Sequence, residues 1–104
     1  MADTFGSFIV NRRKSLGISQ KDLAGRIMRE EDGKPISPQY LNDIERDRRS
    51  PTSEHLIAQF AQVLTVEPEY LFYLAGTLPK DIRDANIGRE EVVELMSAFR
   101  RSRS

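Results

Sequence analysis

Gln39, Asn42, Asp43 and Arg46 recur three and four residues apart within SPQYLNDIERDRRSP, Ser37 to Pro51. That spacing gathers side chains on one face of a helix, and the chemistry they offer is recognition rather than bond-making. The Gln39 amide can exchange two hydrogen bonds with N6 and N7 of adenine, worth about 1–3 kcal/mol of discrimination. Tyr40 can offer its hydroxyl to a phosphate or its ring to a thymine methyl. Asp43 can accept from cytosine N4 but repels phosphate. Its plain alternative, of equal weight, is a solvated helix residue or a partner for a nearby arginine. Arg46, Arg48 and Arg49 close the stretch. Alone they would read as a solvated run complementing a helix C-terminus; beside a reading helix they become phosphate anchors, each neutralised phosphate adding nearly one unit to the salt slope.

The element that must hold these groups is a short helix over about 37–47. Ser37 is a good N-cap, Pro38 falls at the first helical position, and Leu41 and Ile44 turn to the opposite side. Four more helices surround it. DTFGSFIVNRRKSLG has Asp3 or Thr4 as cap, apolar Phe5, Phe8, Ile9 and Leu16, and Gly17 as a left-handed stop. SQKDLAGRIM begins at Ser19, with Asp22 completing an approximate capping box. TSEHLIAQFAQVL begins at Thr52 or Ser53 and buries Leu56, Ile57, Phe60, Ala61 and Leu64. EPEYLFYLAG starts at Pro68, faces Tyr70, Leu71 and Leu74 inward, and ends at Gly76. Beyond it, Lys80–Ala85 can make a short turn of helix, and REEVVELMSAFRR spaces Val92, Leu95, Met96 and Phe99 as an amphipathic helix, with RSRS a disordered end. No strand-like alternation is present. The fold class is all-α.

Composition narrows the function. There is no cysteine and one histidine, His55, so thiolate chemistry, disulfides and a histidine metal cluster are excluded, and a structural role is expected for His55. No motif for a catalytic nucleophile, a phosphate loop or a metalloprotease appears, and the serines sit mainly at helix starts or termini. Neither an enzyme nor a cofactor or metal is expected. No apolar run is long enough to span a membrane and no signal-peptide pattern opens the chain, so a cytoplasmic protein is expected. Net charge is zero, with 16 basic and 16 acidic residues, which counts mildly against nucleic acid. The halves differ little: residues 1–50 hold 10 basic and 8 acidic groups, residues 51–104 hold 6 and 8.

LGISQKDLAGRI and ISPQYLNDIERDRRSPTSEHLIAQFAQVLTVEPEYLF together resemble the phage-repressor/Cro-like XRE family of helix-turn-helix regulators. The likeness spans about residues 5–76 and lies in Gly17, Ser19–Gln20, Leu23–Ala24, Ile36–Ser37, Tyr40–Leu41, Ile44–Glu45, Pro51, Leu56 and VLTVEPEYLF. It implies a five-helix lambda-repressor-like domain over 1–76, followed by a 77–104 extension with one C-terminal amphipathic helix. Such a reader places its third helix in the major groove. The resemblance gives Pro38, Gln39 and Asp43 positions facing base edges, to which the polar Tyr40 and Asn42 are added. It gives Gln20 and Arg46 positions meeting phosphate, with Ser19, Lys21, Ser37, Arg48 and Arg49 beside them. It also implies a partly buried ion pair between Arg13 and Glu45.

Two features depart from that family. The turn between the second and third helices carries about seven extra residues, MREEDGK (Met28 to Lys34), which either bulge from the turn or lengthen the second helix through Arg29 or Glu30. Its acids, Glu30, Glu31 and Asp32, are expected to point away from DNA. The stripe Val92, Leu95, Met96 and Phe99 is too apolar for a free tail, and either packs on its own domain or pairs with a second copy. The leading expectation is a sequence-specific regulator of double-stranded DNA, a dimeric repressor bound to an operator. No small-molecule ligand and no membrane partner is expected. The competing class is a module of coactivator or antitoxin type that docks another protein.

Overall fold

Hydroxyl caps set where the helices start. Thr4 accepts the Ser7 N–H at 3.0 Å while Ser7 Oγ accepts the Thr4 N–H at 2.9 Å, a reciprocal capping box that opens α1 (Phe5–Ser15). Ser19 does half of this for α2 (Gln20–Arg26), accepting the Asp22 N–H at 3.0 Å. Ser37 accepts the Tyr40 N–H at 3.0 Å and Pro38 takes the first position of α3 (Pro38–Glu45). Ser53 caps α4 (Glu54–Leu64), while Thr52, the other candidate, lies outside the described residues. α5 (Pro68–Ala75) begins on its proline, and α6 (Lys80–Arg83) and α7 (Arg89–Arg103) complete the chain. The computed structural model describes residues 3–51 and 53–103.

Helix ends follow backbone chemistry. Gly17 sits at φ +70° after α1, with the Ile18 N–H reaching Arg13 O at 3.1 Å and the Gly17 N–H reaching Lys14 O at 3.0 Å, a Schellman closure. Ile9, Leu23, Ile27, Leu41, Ile44, Ile57, Phe60, Leu64 and Leu71 are fully buried where α1 to α5 meet. Phe5 meets Phe60 edge to face at 5.9 Å.

Some expectations are corrected. Phe72 of α5, rather than Tyr70, is buried with Leu71; Tyr70 lies outside, with its ring edge-on to Phe8 at 5.0 Å. Leu16 is exposed, because the chain has already left α1 there. Of the two readings of the insertion, the bulge from the turn holds: α2 stops at Arg26 without lengthening to Arg29 or Glu30, Ile27 is extended, and the insertion folds as a small hairpin. Met28 and Pro35 form an antiparallel bridge, with the Ile36 N–H on Ile27 O at 2.8 Å and the Arg29 N–H on Lys34 O at 2.8 Å. α7 continues through Arg103 where a disordered end was expected. Arg100, Arg101 and Arg103 complement the dipole of its last turn, and Ser102 Oγ donates to Phe99 O at 2.8 Å.

The extension begins against α4: Glu54 accepts the Lys80 N–H at 3.2 Å and meets Arg83 at 3.6 Å. Among the described residues, no helix is long and apolar enough to cross a membrane.

Candidate nucleic-acid interface

α3 is held from beneath by Leu41 and Ile44 and at its end by charge. Arg13 of α1 grips the Glu45 carboxylate twice, Nε to Oε2 at 2.7 Å and Nη2 to Oε1 at 3.1 Å. Arg13 Nη1 also donates to Ile18 O at 3.1 Å. The side chains are 12% and 3% exposed respectively, so this is a buried, two-point charge pair rather than a surface contact. Gln20 of α2 donates its amide to the same carboxylate at 2.9 Å and, more weakly, to Asn42 Oδ1 at 3.3 Å. One carboxylate thus ties three helices together, and with its charge and hydrogen bonds met it tolerates burial.

The other face of α3 is outward. Pro38, Gln39 and Arg46 are exposed, and Tyr40, Asn42 and Asp43 are half-buried. Gln39 Nε2 donates to Asp43 Oδ1 at 3.1 Å. An ionised carboxylate only accepts, so the Gln39 amide must turn an N–H toward it. What remains for a base is one carbonyl and one N–H. That pairing matches the N6 donor and N7 acceptor of adenine, whereas guanine's O6 and N7 ask for two donors. Arg49 lies over the Tyr40 ring, 4.8 Å from its centroid, a cation–π contact that ties the arginine to the helix. Arg46 and Arg48 are exposed, and among the described residues neither meets a carboxylate.

The sequence-derived phosphate group does not gather uniformly. Ser19 and Lys21 are exposed at the start of α2 and Ser37 at the start of α3, where free N–H groups suit an anion. Gln20, by contrast, has its N–H groups turned inward to Glu45 and Asn42, leaving its carbonyl. Asn42 is likewise drawn into that network. Asp43 has a partner, but it is Gln39 rather than an arginine.

The 28–35 hairpin flanks the N-terminal end of α3. Glu30, Glu31 and Arg29 line a cavity of about 340 Å³ with Ser37 and Tyr40, so two of the acids stand beside that end of the helix. Arg29 is drawn to Asp32 at 2.9 Å and Glu31 at 3.5 Å. The hairpin base is clamped to α4: Gln59 Oε1 accepts the Met28 N–H at 2.7 Å and Gln59 Nε2 donates to Met28 O. His55 Nε2 lies 3.1 Å from the same carbonyl, a structural placement. Among the described residues, no group of His, Asp and Glu is arranged to hold a metal.

Two residues that sequence reasoning missed position α3 against α1. Asp47, just past α3 at φ +59°, accepts the Thr4 hydroxyl at 2.6 Å and the Gly6 N–H at 2.9 Å. It is an anion set on the N-terminus of α1. Gly6 permits the approach, since a Cβ there would lie 2.5 Å from Glu45 O and 2.6 Å from Ile44 O. A glycine in the first turn of a helix was the available clue.

Comparison with known proteins agrees with this fold. The family model described as helix-turn-helix matches residues 9–71, more than half of the chain. A chain in the solved SinR protein/SinI protein complex is similar over 96% of this chain and 98% of its own, with 21% identity and a TM-score of 0.55; at that identity the likeness is one of fold. Curated proteins give no match. The chain belongs to the XRE-type helix-turn-helix family of DNA-binding transcriptional regulators.

Proposed function

We propose that this regulator is a sequence-specific repressor that binds operator DNA as a two-fold dimer, with α3 in the major groove. The observation that carries the reading is the outward face of α3: a Gln39–Asp43 pair leaving one donor and one acceptor, followed by Arg46 and Arg48, which meet no carboxylate among the described residues, on a helix locked by buried charge. In this reading Pro38, Gln39, Tyr40 and Asp43 face base edges, with Asn42 at their margin. Ser19, Lys21, Ser37, Arg46 and Arg48 meet phosphates; Gln20 joins them through bridging water at its free carbonyl, and Arg49 by leaving the Tyr40 ring. A dimer seated in the groove represses by excluding other proteins from the same duplex.

Docking of another protein is the second reading. The similar solved chain comes from a complex with SinI protein, and net charge here is zero.

Fluorescence anisotropy separates the two, using duplex from upstream of the protein's own gene and a scrambled control at several salt concentrations. The expected result is binding to the scrambled duplex weaker by at least about a thousandfold. Arg46→Gln and Arg48→Gln should each lower the salt slope by nearly one unit, about 0.9, while weakening all duplexes alike. Gln39→Ala should instead remove about 1–3 kcal/mol of discrimination at one base pair and leave the slope unchanged. Equal, weak binding to every duplex, with slopes indifferent to both arginines, would favour protein docking.

A further inference from the structure

The 28–35 hairpin is built as a fixed element. At its base, Gln59 of α4 meets both the N–H and the carbonyl of Met28. At its turn, the Gly33 N–H reaches Arg29 O at 2.9 Å and Asp32 Oδ1 accepts the Lys34 N–H at 3.0 Å. The segment therefore keeps one place beside α3, where Glu30 and Glu31 share a cavity with Ser37 and Tyr40.

That place is electrostatically contested. Ser37 caps the end of α3, where free N–H groups and the helix dipole attract an anion and where a reader of this kind meets DNA. The hairpin sets two cations, Arg29 and Lys34, against three acids, Glu30, Glu31 and Asp32, so its own charge is negative. Arg29 is engaged within it, by Asp32 at 2.9 Å and Glu31 at 3.5 Å. Glu30 meets no cation among the described residues. On a loose loop such acids would swing away from an approaching phosphate, and the Gln59 clamp opposes that withdrawal.

We infer that the hairpin is an electrostatic brake on DNA binding. Glu30 and Glu31 stand as fixed negative charge against the phosphates that the N-terminus of α3 attracts, and limit the protein's hold on any duplex. The penalty falls on backbone contact, which supplies essentially all non-specific binding; the hydrogen bonds of Gln39 to a base are untouched. The brake sets how tightly the protein holds DNA, and α3 sets which DNA it holds. This rests on α3 being the DNA-binding face, as read above, but not on its reading a particular base.

Two unit charges about 8 Å apart in water change an equilibrium about twofold. Neutralising both acids should therefore tighten binding about fivefold at low salt, and screening should cut the gain to about twofold at about 0.15 M. Fluorescence anisotropy of the full chain, with the upstream and scrambled duplexes at both salt concentrations, reads this. Glu30→Gln/Glu31→Gln should give the full gain on both duplexes. Glu30→Gln alone should give about twofold, a gain that cannot come from freeing Arg29. Glu90→Gln/Glu91→Gln on α7 makes the same change of net charge outside the hairpin and should leave both duplexes nearly unchanged. No gain from either hairpin variant, a gain matched by the α7 variant, or a gain undiminished by salt would overturn the inference. Tightening on one duplex alone would overturn it too, since an acid would then be meeting a base. Failure of the operator reading is a separate result: wild type then holds both duplexes alike, while the variants still rank as above.

Discussion

Arg13→Met is expected to lower folding stability by about 3–5 kcal/mol, read as a drop in the urea midpoint with an unchanged slope. The Glu45 carboxylate is 3% exposed and would keep only the Gln20 amide as a close donor. A charge left in that position cannot recover its solvation. Replacing both partners tells a different story. Arg13→Met/Glu45→Leu removes the stranded charge and is expected to regain most of the loss, because a buried pair often does little better than a well-packed apolar substitute. The double variant should also bind DNA less selectively than its stability suggests, since the end of α3 then lacks its charged anchor to α1 and α2. If Arg13→Met costs less than about 1 kcal/mol, the range of exposed ion pairs, Glu45 reaches water and the lock described here is not one.

The second large effect falls on a residue with no side chain. Gly6→Ala would set a Cβ 2.5 and 2.6 Å from the carbonyl oxygens of Glu45 and Ile44, and 2.7 Å from Asp47 Oδ1. Two of those neighbours are backbone at the end of α3, so neither can swing aside. The expected cost is about 1–3 kcal/mol or more, typical of forcing atoms into a packed site. Away from such a contact, Gly→Ala in a helix gains up to about 1 kcal/mol, so the sign itself is diagnostic. A stabilised Gly6→Ala protein would mean that α1 and α3 stand further apart than described. Relief of the clash should move α3, so weaker operator discrimination is expected alongside the lower midpoint.

The two effects differ in how far the sequence announced them. Ser19, Ser37 and Pro38 declare helix starts because capping is a local event, settled within four residues. The inward set Leu41, Ile44, Ile57, Phe60 and Leu64 was legible for a similar reason, since helical spacing alone sorts faces. Arg13 and Glu45 stand 32 residues apart, and only resemblance to a known family linked them. Asp47 and Gly6 had no such help: their contact joins positions 41 apart, which no local rule addresses. Gln39 and Asp43 are four apart on one helix, a spacing at which side chains meet, yet residue types alone leave Asp43 equally open to a base, to solvent or to an arginine. The MREEDGK insertion was visible as extra length, but its fold depends on Gln59, 31 residues beyond Met28. Phe72 displaced Tyr70 from the core because Tyr70 can keep its hydroxyl in solvent while its ring packs on Phe8.

The central claim is that α3 reads bases through Gln39 as set by Asp43. It is tested most directly by selecting bound duplexes from a random pool with wild type, Gln39→Ala and Asp43→Ala in parallel. The account predicts that wild type enriches a two-fold repeated motif with an adenine at one position of each half. Gln39→Ala should lose the preference at that position alone, and Asp43→Ala should admit guanine there, because the freed amide can then present both N–H groups. No enriched motif with wild type, or the same motif from all three proteins, would contradict it.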